Sequence, residues 1–364
     1  MPHGTCSGVG VGGHALHGGY GYDSRLWGLA LDHIVGLDVV LSNGSKVYTD
    51  HKSYPDLFYA MRGAGESFGI ATHFYFQTEE APKNVLYFVS DLAAQEKDTG
   101  SKKAVDALAE GFEKLQEFSI SSPLLTPNIT FGTFIDSNGT FILRGWCMDC
   151  DKAAFEATIL PAMVAGFPVH TDTIQDLDWI SALEALADPD PLNLPLGHSY
   201  HNHDTFYAKS LVTRESIPLT NAALKAYFQE VLDHQHQGPF FSIINIYGGP
   251  GSAINAVSKD ESAYSDRDAL WVFQNYGNTA TTLPPYDPAT TKIVDALNDV
   301  VVNAQPDGDF TMYLNYIDPD LNAMTAAEEY YGATTYNKLL LLKKEYDPGF
   351  VFWNPQSVGN SIAL

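Results

Sequence analysis

The chain is short of positive charge. Its 364 residues hold 20 Lys and Arg against 44 Asp and Glu, a formal net charge of −24 at pH 7. A polyanion repels phosphate backbones, which excludes nucleic acid as an expected partner. Long apolar runs are absent as well. No stretch of about eighteen apolar residues occurs, so no membrane-spanning helix is predicted. Cysteine is scarce: Cys6, Cys147 and Cys150 cannot build the disulfide framework of a small secreted domain. There is no internal repeat and no low-complexity tract. What remains is a globular composition, 45% apolar and 18% charged, with length for two domains.

Glycine is what the chain has in abundance, and it is concentrated at the start. Eight of the nineteen positions from Gly4 to Tyr22 are Gly. Gly loses the most backbone entropy on ordering and brings no side chain to pack, so this run predicts neither a stable helix nor an ordinary strand. A flexible linker would be richer in Ser and polar residues; this run carries Val, Leu, His, Tyr and Cys6. It reads instead as a turn whose bare N–H groups lie close to a ligand, as at an anion such as a pyrophosphate. It is not a dinucleotide fingerprint, although Asp32 stands at a suggestive spacing from Gly12, because no helix pattern separates them. Nor is it a Walker loop, since the nearest Lys is Lys46.

Further along, Ile34 to Leu41 reads as an apolar strand, Asn43-Gly44 as a hairpin turn, residues 54–61 as a short helix and residues 68–76 as a strand. After Pro82 the character changes. Strands at 85–89, 129–135 and 141–146 alternate with helices at 103–118 and about 152–165. Val105, Leu108, Phe112 and Leu115 share one helical face. A helix at 221–236, strands at 240–247 and 270–276, and helices at 291–303 and 325–344 follow. His234 and His236 sit at a helix end, where positive charge suits the dipole. Alternating strand pairs and helices predict an antiparallel sheet with helices on one face, within an α+β fold.

Two clusters have ligand-like spacing. Cys147 and Cys150 read as a turn pair, with a local disulfide as one form, because a zinc site needs two more ligands. His198, His201, His203 and Asp204 lie in the loop-like stretch 185–204, which reads as a solvated lid rather than a metal site. No metal is expected.

The motif Gly4-Thr5-Cys6, Val9-Gly10, Gly13-His14-Ala15-Leu16-His17-Gly18-Gly19 and Gly21 resembles the berberine-bridge-enzyme-like branch of the vanillyl-alcohol-oxidase flavoproteins. The likeness continues through Ser24 to Gly36, through Asp56 to Ile70, and through Tyr346-Asp347-Pro348 to Asn354-Pro355-Gln356-Ser357. Within the branch, Gly13 to Gly19 and Phe206-Tyr207-Ala208-Lys209-Ser210 are similar to the fungal gluco-oligosaccharide oxidases. The resemblance implies the C-terminal part of a two-domain FAD-linked oxidase. The second half of an FAD-binding domain would be residues 1–80, an antiparallel-sheet substrate domain residues 81–310, and a returning berberine-like segment residues 311–364. The family's pyrophosphate loop and flavin-linking His precede the motif. Met1 lies three residues before it, so a truncated or shortened gene is expected, with any signal peptide outside this chain.

The same resemblance assigns residues. Cys6 is implied as the thioether link to flavin C6. Thr5, Gly10, Gly12, Gly13, His14, Tyr20, Glu66, Ala71 and Asn354 are implied as FAD contacts. Tyr316 is implied as the catalytic base. Asn245 takes the place of the sugar oxidases' assisting Asp, and an amide can orient a phenol but cannot take its proton. Ile243 takes the place of a polar sugar contact, whereas Gln274 matches; Tyr276 is a further substrate candidate. The implied reaction is oxidation of an alcohol or hemiacetal, of an oligosaccharide above all, with O2 reduced to H2O2. The alternatives are oxidation of a fungal secondary metabolite and an inactive remnant. Three sequons, at Asn43, Asn128 and Asn138, favour a secreted glycoprotein, and a monomer is expected.

Overall fold

The computed structural model describes residues 1–92, 102–167, 170–188, 191–193, 205–281 and 283–360. The loop residues His198, His201, His203 and Asp204 lie outside these. The chain forms two compact units. The first comprises Met1–Glu80, Ala253–Arg267 and Pro319–Leu364, and the second Ala81–Ser252 and Asp268–Asp318. Residues 253–267 thus join the first unit, although they fall inside the stretch 81–310, and the second unit runs on to Asp318.

The first unit contains a three-stranded antiparallel sheet of β1 (Ile34–Val40), β2 (Lys46–Thr49) and β3 (Ile70–Phe76), in the order β2-β1-β3. The Asn43-Gly44 turn joins β1 to β2, with Gly44 at φ 81. The helix Pro55–Ala64 starts on a proline, which needs no N–H partner in the first turn. It buries Leu57, Phe58, Ala60 and Met61. It breaks at Gly63, which has φ 134 and lies so near the backbone of Tyr264 that a Cβ there would stand 2.4 Å from its N.

One expectation fails at the N-terminus. The glycine-rich run does contain a helix, Val11–Leu16, which includes Gly12 and Gly13. Packing overrides propensity here: Ala15 is buried and Leu16 lies against Gly65.

Buried charges stitch the unit's three segments together. Asp32 accepts both Nη atoms of Arg267 at 2.9 and 2.7 Å, and also caps the Leu29 N–H at 2.9 Å. This is what Asp32 does, rather than meeting a ribose. Lys343, in the last turn of the helix Ala323–Tyr346, is 2% exposed. Its three N–H donors go to Ser67 O (2.6 Å), Phe352 O (2.8 Å) and Asp347 Oδ2 (2.8 Å). Asp347 in turn accepts the Val351 and Phe352 amides at 2.8 and 2.9 Å.

The second unit is built on a seven-stranded, wholly antiparallel sheet. Its strands are β4 (Val85–Asp91), β5 (Ile129–Asp136), β6 (Phe141–Met148), β7 (Thr171–Leu177), β8 (Phe206–Arg214), β9 (Phe240–Ile246) and β10 (Ala269–Asn278). Their order is β7-β4-β6-β5-β9-β10-β8. The helices Lys102–Ser121, Asn221–Asp233 and Pro288–Ala304 cover one face, with Phe112, Phe131, Tyr227, Phe228, Trp271 and Phe273 in the shared core. Buried Gln116 joins this core without an open polar atom: it accepts from Trp271 Nε1 and exchanges bonds with the Leu219 backbone.

The one-face expectation holds for these three helices but not for Trp179–Ala187. Strand alternation puts Trp146 on the face opposite Cys147, and Trp179 packs on Trp146 at 5.6 Å. Cys147 and Cys150 form a disulfide across the turn after β6. Among the described residues no group of three His, Cys, Asp or Glu is arranged to hold a metal ion. His234 bonds back to the Glu230 carbonyl at its helix end.

Lys343 yields a stability test. Removing one partner of a buried pair leaves the other charge uncompensated, which costs about 3–5 kcal/mol. Lys343→Met is expected to lower the unfolding free energy from urea titration by that order. The double change Lys343→Met with Asp347→Leu is expected to recover part of the loss.

Candidate active site

The first unit holds one set of candidate residues. Cys6 is a free, exposed thiol, with Thr5 Oγ1 at 3.9 Å. A Cβ built on Gly10 or Gly13 would meet nothing within 4 Å, so open space borders the loop there. A Cβ built on Gly12 would stand 4.0 Å from Phe74 Cζ of β3. Burial pushes the His14 imidazole down to about 4, helped by the charge of His3, so His14 is neutral at pH 7. His17 pairs with Glu66, which also accepts the Ser67 hydroxyl at 2.9 Å. Burial alone would raise the Glu66 carboxyl, but His17 and Ser67 outweigh it and hold it below the usual range. Glu66 is therefore tied to the glycine-rich loop. Tyr20 is half-buried in that loop. Ala71 stands on β3 opposite Val39. Asn354 turns the C-terminal tail, its Oδ1 accepting the Gln356 amide and its carbonyl the Ser357 amide. An exposed thiol beside open, side-chain-free backbone fits a flat prosthetic group lying along residues 6–14.

The second unit carries the other set, on the sheet face turned away from its three core helices. Gln274 and Ile243 are directly opposite each other on β10 and β9, and Gln274 also faces Ser210 on β8. Asn245, 5% exposed, lies across β5: a Cβ on Gly132, its register partner, would stand 2.4 Å from Asn245 Oδ1. Only a residue without a side chain leaves room for the amide there.

Four aromatic rings run along the same face on adjacent strands. Phe206 and Tyr276 stack at 4.7 Å, Tyr276 and Phe241 at 4.6 Å, and Phe241 and Phe134 at 5.7 Å, with interplanar angles of 17–26°. Strands are about 4.8 Å apart, so the rings stand on edge like books, face to face with one another. What they offer outward is ring edges.

Tyr316 sits on the segment that follows the helix Pro288–Ala304. The segment runs beside the edge strand β8. Thr311 and Val212 exchange backbone bonds at 2.8 and 3.2 Å, and the Tyr313 amide donates to Ser210 Oγ at 2.9 Å. The ring of Tyr313 packs edge-on to Tyr316 at 5.1 Å and to Tyr247, just past β9, at 6.4 Å. Tyr316 is thus carried to the end of β9 that bears Asn245. The segment ends at Asp318, fully buried, which accepts a hydrogen bond from Tyr207 Oη at 3.0 Å and pairs with Lys209 Nζ at 3.1 Å.

Reasoning from sequence missed Gly132, Phe134, Asp318 and the separate parts of Tyr207 and Lys209. The signal for Gly132 was a lone Gly inside an apolar strand, which marks a close approach. Nothing local marked Asp318, whose partners are more than a hundred residues away. Gly132→Ala is expected to displace the Asn245 amide by a few tenths of an ångström or more while the sheet stays folded. Side-chain amide NMR of Asn245 would read this; an unshifted resonance in Gly132→Ala would rule the contact out.

A family model described as berberine and berberine like matches residues 312–359, which include Tyr316, Lys343 and Asn354. The xylooligosaccharide oxidase of Thermothelomyces thermophilus is 32% identical over 361 residues, covering 98% of this chain and 69% of that protein. The chitooligosaccharide oxidase of Gibberella zeae is 32% identical over 360 residues, with the same shares. The solved glucooligosaccharide oxidase of Acremonium strictum superposes with a TM-score of 0.88 at 27% identity, covering 99% of this chain and 73% of that one. The FAD of that protein is described as 6-S-cysteinyl, 8α-N1-histidyl. Extent and identity together settle the family: the chain belongs to the berberine-bridge-enzyme-like, FAD-linked oxidases that include these oligosaccharide oxidases.

Proposed function

We propose that the protein oxidises a carbohydrate hemiacetal to a lactone, with Tyr316 as the base. The observation that carries this is the docking of the Tyr316 segment on the sheet face that also bears Gln274 and Asn245. FAD, when bound, would supply the hydride acceptor, with O2 as the final acceptor giving H2O2. The chain's own residues do the rest. Tyr316 takes the hydroxyl proton as the C–H bond gives up its hydride. A phenol titrates near pKa 10 in water, and Asn245 orients it without sharing the proton. Gln274 donates or accepts at the sugar hydroxyls, and Tyr276 lines the face beside it. Cys6, exposed in the loop with open backbone at Gly10 and Gly13, would hold the flavin covalently, with Thr5, Gly12, His14, Tyr20, Glu66, Ala71 and Asn354 around it.

A second reading has its own support. Ile243 opposite Gln274 and the on-edge ring ladder make this face less polar than a sugar site needs. Sugars stack on ring faces, and here neighbouring rings occupy most of those faces. That favours an alcohol with an apolar body, such as a secondary metabolite. The relatives described as FAD-linked oxidoreductases of Penicillium rubens and Metarhizium anisopliae, each 30% identical, fit either reading.

An extracellular setting is part of the proposal. It is supported by the Cys147–Cys150 disulfide and by exposed sequon residues Asn43 and Asn138. Asn128 is half-buried and spends its amide on the Met148 carbonyl. Protein from a secreting host should carry glycans at Asn43 and Asn138 but none at Asn128, read by peptide mass; bare Asn43 and Asn138 would count against secretion.

The deciding experiment uses the FAD-loaded enzyme. Acid-precipitated wild type should stay yellow, and Cys6→Ala should release more flavin. General-base catalysis contributes about 10² to 10⁴ in rate, so Tyr316→Phe should slow flavin reduction by that order with little change in substrate affinity. Activity should climb above neutral pH, and Asn245→Asp should move the climb downward. Peroxide release over sugars and over apolar alcohols separates the two substrate readings. A Tyr316→Phe enzyme reduced at the wild-type rate would remove the base.

A further inference from the structure

We propose that Tyr207, Lys209 and Asp318 form a clamp across edge strand β8 that positions Tyr316. The proposal rests on the reading of Tyr316 as the base.

Leu211 of β8 points into the helix-covered core, so Lys209 and Tyr207 share that side. Ser210 points to the open face, toward Gln274. The segment 311–318 is gripped from both sides of the strand. On the open face, Ser210 Oγ accepts the Tyr313 amide at 2.9 Å. On the covered side, Asp318 accepts a hydrogen bond from Tyr207 Oη at 3.0 Å and forms an ion pair with Lys209 Nζ at 3.1 Å. Asp295, on the helix Pro288–Ala304, receives the same two groups at 3.0 Å each. Tyr316 lies between the two grips, bonded through its own amide to Tyr313 O at 2.9 Å.

The grip at Asp318 is firm because the carboxylate is fully buried. A buried charge without its partner is costly, so Asp318 has nowhere else to go while Lys209 is present. Burial by itself would lower the Lys209 ammonium, but Asp295 and Asp318 raise it, keeping it charged. Tyr207 is pushed the other way from ionisation, by burial and then by the two carboxylates, and stays a donor. Its one proton serves Asp318 and Asp295 by turns. Asp318 follows Tyr316 by only two residues, so slack at Asp318 becomes displacement of the phenol. These residues act through Tyr316 rather than on substrate or reacting atoms.

Two measurements test the clamp, and one needs no turnover. Native-state hydrogen exchange of the Tyr313 and Tyr316 amides should quicken by roughly tenfold or more in Asp318→Asn and in Lys209→Met, since both amides lie in a segment that then opens locally. The β5 and β6 amides should keep their protection, and Lys209→Arg should restore most of it at Tyr313 and Tyr316. Unchanged exchange at both amides overturns the clamp. So does loss of protection across β5 and β6 together, which marks a general fold defect.

The second measurement is a double-mutant cycle in the FAD-loaded enzyme. A misplacement of about 1 Å is worth on the order of 10²-fold in rate, so Asp318→Asn should lower kcat by up to that factor with KM little changed. In the Tyr316→Phe background Asp318→Asn should add almost nothing, because the group it positions is gone. Equal losses in both backgrounds overturn the positioning role. If Tyr316→Phe alone keeps the wild-type rate, the base reading has failed, and the exchange data still decide whether the clamp exists.

Discussion

The edge strand β8 sets the terms for the second unit. An edge presents unpaired N–H and C=O groups that must be met or blunted. Here they are met by the chain's own returning segment, at Val212 and Thr311. Covering the edge and delivering Tyr316 are one structural act. The segment has no helix or strand of its own beyond that bridge, so its geometry is borrowed from β8 and from the helix Pro288–Ala304. A loop placed on a rigid sheet in this way combines a defined position with freedom to vary in sequence.

The first unit solves a different problem. Its three sequence segments are far apart along the chain, and buried charges hold them together. Arg267 brings residues 253–267 to Asp32, Arg62 donates to the Glu261 carbonyl at 2.6 Å, and Lys343 gathers Ser67, Asp347 and Phe352. Each of these cations is nearly fully buried and donates to at least one carboxylate or carbonyl oxygen. The glycine-rich loop joins the same network through His17, Glu66 and Ser67. Ser67 then meets the tail, its Oγ accepting the Val358 amide at 3.0 Å. The loop that bears Cys6 is therefore fixed to residues close to the C-terminus, and its open side is left without side chains at Gly10 and Gly13.

Asn245 and Ile243 give the sheet face its individual character. In the proposed reading Asn245 would stand in place of a carboxylate and Ile243 in place of a polar contact, and both lie on a single strand within two residues. Gly132 accepts the amide of Asn245 as it would accept any planar side chain of that size, so the neighbouring strand does not oppose the exchange. Chemistry and specificity can then change with the sheet intact, since packing on the helix side involves the other set of residues, Ile244 and Phe273 among them.

Much was legible in the residues themselves. Apolar periodicity located most strands and helices, since each buries one face and the period is local. The glycine-rich motif, the run through Glu66 and Ser67 and the tail at Asn354 carried the family and its cofactor, because such motifs are contiguous. The helix Val11–Leu16 was not legible: Gly12 and Gly13 oppose it, and only burial of Ala15 and packing of Leu16 against Gly65 reverse that. Nor was Trp179–Ala187, which packs on β4 and β7 on the face that bears Trp146. The sequence alone determined most of the strand and helix inventory, though not β7, β8 or these two helices, and the flavin-oxidase lineage. Tertiary structure decided that Asp32 serves Arg267, that Cys147 and Cys150 are bonded, that Gly132 makes room for Asn245, and that Asp318 anchors the Tyr316 segment. The physical reason is the same in each case. These are pairings between residues separated along the chain, and no local pattern encodes which distant partner a buried polar group will find.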